Sequence, residues 1–229
     1  MPRSLGFATL NWLLLALSCG ALAQPAAEHR DYTIEGLALG SQVQAFRSAH
    51  PEYRCAPSEQ SPGFTFCQRI RFERDQHGSF NVMNSFLHSR DGIAVYIDRY
   101  QRPAFLNAGD AENAIRELAS QFGEPSWRTT MPERPGRPTG VIAVWGEATL
   151  EPLDEARLQA IAQGRSAGGG YLIDFLGDLA RSAKERLPIY RFRGHAGFVW
   201  VASFDQEGRG IARSTAIDAS AFDPDSPNR

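Results

Sequence analysis

The sequence predicts an α+β fold, an antiparallel sheet with short helices packed on one face. Three observations carry this expectation. Phe64, Phe66, Ile70 and Phe72 alternate with Thr65, Cys67, Arg69 and Arg71, the period of two that belongs to a strand. Ala111, Ala114, Ile115, Leu118, Ala119 and Phe122 recur at helical spacing and form one apolar stripe. Strand patterns follow one another in runs, and do not alternate one-for-one with helices as a doubly wound parallel sheet requires.

Taken in order, Asp31 to Glu35 reads as a short strand. Ser41 with Gln44 three residues later has the spacing of a capping box, which predicts a helix to about Ala49 that buries Val43 and Phe46 and stops before Pro51. The alternating stretch through Phe72 then predicts a strand with its phenylalanines in the core and its arginines in solvent. His77-Gly78 marks a turn, Ser79 to His88 a strand, Asp91-Gly92 a hairpin, and Ile93 to Ile97 a third antiparallel strand. Asp110 opens the clearest helix, which Gly123 and Pro125 end. Ser126 to Met131 and Val141 to Trp145 read as strands on either side of a proline-rich loop, 132–138. A helix over Asp154 to Ala162 follows, then a junction at Gly168-Gly169-Gly170. The last strands are Tyr171 to Leu176, Ile189 to Arg193, Gly197 to Asp205 and Ile211 to Ala219, with a turn at Glu207-Gly208-Arg209-Gly210. No repeat of fixed period is visible, although a short helix followed by antiparallel strands occurs more than once.

The chain has 229 residues, is 42% hydrophobic and carries a formal charge of −2, which excludes a disordered tail protein, a collagenous repeat and a nucleic-acid binder working by bulk positive charge. All but one of its basic residues are arginines, a bias that GC-rich codon usage accounts for. Met1 to Ala23 has the form of a secretory signal: Arg3, an apolar run from Phe7 to Leu17, and small residues at Ala21 and Ala23, giving cleavage before Gln24. The run is too short for a membrane span. A lipid on Cys19 is disfavoured, because Ala16-Leu17-Ser18 lacks the leucine expected three positions upstream. The organisation expected is therefore a signal peptide at 1–23, an α+β domain at 24–150, a strand-rich extension packed on it at 151–222, and a flexible tail at 223–229. Cys55 and Cys67, an even pair in an exported chain with no third ligand between them, are expected to form a disulfide.

Tyr32-Thr33-Ile34-Glu35-Gly36-Leu37-Ala38-Leu39-Gly40 before a short helix resembles the opening of small exported bacterial domains of the β-lactamase-inhibitor-protein type and of the small outer-membrane-assembly lipoproteins. Gln121-Phe122-Gly123-Glu124-Pro125 is similar to the helix-ending element of the same domains. The resemblance spans residues 31 to 127. It implies helices on an antiparallel sheet and protein binding without catalysis, and it transfers no functional residue.

The residues that could carry chemistry do not assemble into a known pattern. Ser182 and Lys184 are two apart, not at the Ser-x-x-Lys spacing. His195 lies in a glycine-rich turn without a nucleophile, and His77 and His88 lack an acidic cluster that would complete a metal site. Asp174 and Asp178 read as caps more readily than as an acid–base pair. Gly168-Gly169-Gly170 precedes a strand, whereas phosphate-cradling glycines precede a helix. Asp205-Gln206-Glu207-Gly208 is a turn rather than a calcium loop. The aromatic–arginine alternation over 64–74 does not offer exposed stacking platforms for a nucleic acid. No catalytic residue, metal or cofactor is assigned.

The expected function is that of an exported, periplasmic or secreted accessory protein that binds an unknown envelope protein. Binding of a small molecule or envelope polymer, or hydrolysis at an unfamiliar site, is the alternative. Phe198, Trp200, Ala202 and Phe204 alternate with Val199, Val201 and Ser203, so both faces of this strand are apolar. Either the strand is central and covered on both sides, or one face is a contact surface anchored by Trp200 and Phe198.

Overall fold

A computed structural model describes residues 32–131, 138–165 and 171–222. The signal-like segment, the loop as far as Arg137, the triple glycine and the tail lie outside the described residues.

The chain opens with a two-residue hairpin, β1 (Thr33–Ile34) and β2 (Leu37–Ala38), turned by Glu35 at φ 55° and Gly36 at φ 81°. Positive φ at both central residues is the turn whose twist matches a tight hairpin, and glycine accepts it without strain where glutamate does not. α1 follows (Val43–Ala49). Its capping box is not formed: Gln42 is the N-cap without a side-chain bond, and Ser41 Oγ instead donates to the Ala38 carbonyl at 2.6 Å. The reciprocal capping box occurs at α2 (Ala108–Phe122). There Asn107 accepts from the amides of Gly109 and Asp110, and Asp110 accepts from the amide of Asn107.

α1 leads into β3 (Arg54–Pro57), β4 (Thr65–Asp75), β5 (Gly78–His88) and β6 (Ala94–Gln101). α2 leads into β7 (Trp127–Met131), β8 (Thr139–Pro152), β10 (Ile189–Phe204) and β11 (Gly210–Asp218). Between β8 and β10 lie α3 (Glu155–Ala162), β9 (Leu172–Asp174) and α4 (Leu179–Lys184). The strands form one antiparallel sheet in the order β3-β4-β5-β6-β11-β10-β8-β7, with β9 on the far part of β10. α1 and α2 therefore each precede a four-stranded meander. The two meanders meet last strand to last strand, β6 against β11, with Ile97 opposite Ala216.

This is an α+β fold, as expected, but residues after 150 are not an appendage. Position 150 falls inside β8, and β10 and β11 occupy the middle of the same sheet. Their apolar character on both faces follows. β10 is a central strand, and Phe198 and Trp200 are interior at 4% and 6% exposure.

Both faces of the sheet carry a core. On one face the β1–β2 hairpin, α1 and α2 cover Phe86, Ile97, Trp145, Phe198 and Trp200. Phe122 of α2 meets Tyr32, Phe198 and Trp145 at ring separations of 5.4, 5.1 and 6.5 Å, and the Trp145 indole donates to the Gly123 carbonyl at 2.8 Å. On the other face Tyr96, Val144, Val199 and Ile217 pack under Phe175, Tyr190, Phe192 and Phe222. The β8–β10 ribbon reaches this second face by bending at a register shift between Gly194 and Gly197. A Cβ at Gly197 would overlap the Ala148 side chain, so glycine permits the close approach there. Beyond the bend, Tyr190 lies 5.6 Å from Trp127 of β7.

Cys55 and Cys67 stand opposite each other on β3 and β4 and are joined, with an S–S distance of 2.00 Å and Cα atoms 4.0 Å apart. Among the described residues no helix is long and apolar enough to cross a membrane.

Candidate functional site at the open end of the sheet

β3 pairs with β4 only from Thr65 to Gln68. Beyond that point β4 runs on to Asp75 with β5 on one side and, among the described residues, no strand on the other. The hairpin turns at Gly78, whose φ of 141° suits glycine, and Asp75 Oδ1 accepts from the amides of His77 and Gly78 at 2.7 and 3.0 Å.

The alternation in β4 is real, but its projecting half is inverted relative to expectation. Arg69, Arg71 and Glu73 turn toward the face that carries the β1–β2 hairpin. Ile70 and Phe72 turn to the other face and are 66% and 78% exposed. The reason is Glu35, which the strained turn holds over the sheet. Arg71 donates to it at 2.9 Å, Arg69 at 3.3 Å, and Arg99 of β6 also pairs with it. Glu73 pairs with Arg99 at 2.7 Å and with Arg71. Burial works against the charged form of Glu73, but the bonds from Arg99 and Arg71 outweigh it and hold its carboxyl below the usual glutamate value. The three cations are compensated by carboxylates from two directions, so this face of β4 turns inward without an unpaired charge.

Register places Met83 opposite Ile70, Asn81 opposite Phe72, and Tyr100 next beyond Met83 on β6. Met83 and Tyr100 are half-buried. Arg102 lies over the Tyr100 ring at 5.9 Å and donates to its hydroxyl at 3.0 Å. The result is an uncovered sheet face with an apolar centre, Ile70, Phe72 and Met83, rimmed by polar groups, beside an open strand edge. Sequence reasoning missed this surface. Its signal was that Arg71 and Glu73 share parity on one strand, which marks a paired network as much as a solvated face.

A second feature is a cleft of about 570 Å³ between α1 and the turn after β5. Arg47, His50, His88 and Arg90 line it, with Asp91 as an acidic neighbour. His50 Nδ1 lies 3.4 Å from Glu52. His88 is buried, and its Nδ1 is 2.8 Å from the Ser89 carbonyl, which assigns the proton to that nitrogen.

The remaining candidates are dispersed. Asp174 Oδ2 accepts from Ser182 Oγ at 2.5 Å and from the Asp178 amide at 3.1 Å, while Asp178 caps α4, so these three hold a loop together. Lys184 is exposed at the end of α4. His195 is exposed at the β10 bend. His77 and His88 stand at opposite ends of β5. Asp205 closes the β10–β11 turn by accepting from the amides of Glu207 and Arg209. Phe198 and Trp200 face the core, so neither anchors a contact surface. Among the described residues no group of three or more His, Cys, Asp or Glu is placed to hold a metal ion.

No family model matches this chain, and no curated protein or solved structure shows significant similarity to it.

Proposed function

We propose that this chain is an exported, non-catalytic accessory protein of the cell envelope that acts by holding another polypeptide at the open end of its sheet. The observation that carries the reading is the exposure of Phe72 and Ile70, the two large apolar side chains of the sheet that stand exposed among the described residues. Large apolar side chains at the centre of a polar-rimmed patch are the usual anchors of protein contacts. The adjacent edge of β4 offers backbone donors and acceptors to an extended chain. The disulfide is compatible with an oxidising compartment, and the signal-like segment supports delivery there.

The test is photo-crosslinking in the intact envelope. A photoreactive residue at position 72 should give polypeptide adducts, and one at exposed Gln159 on α3 should give none. Absence of adducts at 72, or equal adducts at both positions, overturns the reading.

The cleft supports a second reading, capture of a small anionic molecule, because Arg47 and Arg90 line it and Asp91 is the one acidic residue of the lining. Calorimetric titration with phosphate and with citrate should then show heats that Arg47→Ala abolishes. No heat with either anion rejects it.

A further inference from the structure

We propose that the polypeptide held at the open edge of β4 is a second copy of this chain, paired antiparallel about a two-fold axis through Phe72. The inference rests on reading the end of the sheet as a polypeptide-binding surface and names its partner.

An exposed strand edge with apolar side chains is a template for pairing, and natural proteins cover or interrupt such edges. Among the described residues the stretch without a pairing strand runs from Arg69 to Asp75. When two copies of one strand pair about an axis perpendicular to the sheet, opposed residues share a face. The axis must then pass through a residue, not between two, and that restricts the registers to a few.

Centring on Ile70 would set Arg69 against Arg71 and run the partner into the part of β4 that β3 covers. Centring on Arg71, Glu73 or Arg74 would place a charge against its own copy. Centring on Phe72 sets Phe72 against Phe72, Arg71 against Glu73 and Arg69 against Asp75, and lays Ile70 beside the aliphatic stem of Arg74. Every charge on the network face then meets its opposite, and like charges directly opposed are what destabilise a strand pair. The Arg71–Glu73–Arg99 cluster of one copy would continue into that of the other. The aromatic pair at the axis would bury the most exposed large apolar side chain among the described residues. Both sheets would join into one, and the open β4 edge of each copy would be covered.

Register is read by cysteine placement. Directly opposed residues of an antiparallel pair lie close enough to bridge, as Cys55 and Cys67 do in this chain. In a Cys19→Ser background, Phe72→Cys should form an intermolecular disulfide on mild oxidation. Ile70→Cys and Arg74→Cys should each stay unbridged alone and bridge to one another when mixed. In sedimentation equilibrium the unmodified protein should have twice the chain mass. Phe72→Lys should return it to the single-chain mass at an unchanged thermal midpoint, since Phe72 supports no core.

A single-chain mass at every concentration overturns the proposal. So does a dimer indifferent to Phe72→Lys, or one in which Ile70→Cys bridges to itself. If the purified protein is single-chain while position 72 still crosslinks to a different polypeptide in the envelope, this inference fails and the binding reading stands. If neither contact is found, both fail.

Discussion

Asp98 and Arg213 meet at 2.7 Å across the β6–β11 pair, the one seam at which the two meanders join. Asp98 is 1% exposed and also accepts from Thr215 Oγ1 at 2.8 Å, while Arg213 donates to the Tyr96 hydroxyl at 2.6 Å. Burial opposes the charge on Arg213, but Asp98 and the two neighbouring phenols, Tyr96 and Tyr171, outweigh it and keep the guanidinium protonated.

Arg213→Met should therefore cost about 3–5 kcal/mol, because it strands a buried carboxylate. Asp98→Leu combined with Arg213→Met should recover most of that loss, since removing both charges removes the desolvation cost as well. Urea denaturation of the two single variants and the double variant measures the coupling. A double variant as unstable as their sum would show that the pair is not coupled.

Glu35 carries both strain and charge, and two substitutions separate them. Glu35→Ala removes the carboxylate that Arg69, Arg71 and Arg99 share and leaves a side chain at positive φ. Glu35→Gly removes the same carboxylate but relieves the backbone. Both should destabilise, and glycine should be the better of the two by about 1 kcal/mol. Alanine equal to or better than glycine in thermal melts would show that the turn is not under strain.

Acid should weaken the same network. The Glu73 carboxyl titrates below its ordinary value when folded. Its contribution is therefore present above the unfolded glutamate pKa, about 4.3, and is lost as pH falls through the lower folded value. Glu73→Gln should melt below the unmodified protein at neutral pH, and the gap should close in acid. A gap that stays constant with pH would assign the effect to packing.

The Cys55–Cys67 bridge closes a short loop at the base of the projecting hairpin, and Cys55→Ser should lower stability by about 3 kcal/mol. Thiol labelling of the unfolded, unreduced protein should find neither cysteine reactive. Labelling of both would show the bond absent in the isolated protein.

The fold class and most of the helices and strands were legible because period and turn chemistry act locally, but β3 and α4 were not read, and the two strands expected at Ile189 to Arg193 and Gly197 to Asp205 are one bent strand, β10. The stripe on α2 reads correctly, with Ala111 and Ile115 buried and Leu118 and Phe122 packed against the same core. Inside and outside were not legible in β4. Alternation separates two faces, but which one turns inward depends on Glu35, a residue 34 positions before Arg69 and held in a separate hairpin. The capping box misplaced at Ser41 shows the same limit, since Ser41 finds a nearer acceptor in the Ala38 carbonyl. The single sheet uniting residues before and after 150 was hidden because β8 and β10 pair across the long segment between them, a contact no local pattern records. The open edge has no signature in one strand alone, because it depends on where β3 stops.

The placement of β11 has a consequence for how the molecule is made. Of the described strands this one leaves the ribosome last, and it fills the slot between β6 and β10 at the centre of the sheet. Until Gly210–Asp218 has emerged, β6 is a bare border and Asp98 lacks Arg213, Thr215 and the cover of the second half. The first meander cannot finish ahead of the second, as an independent amino-terminal domain would. The nascent chain must be kept from premature pairing until that strand is made, and a product cut short before Gly210 is left with an unclosed gap in the middle of its sheet.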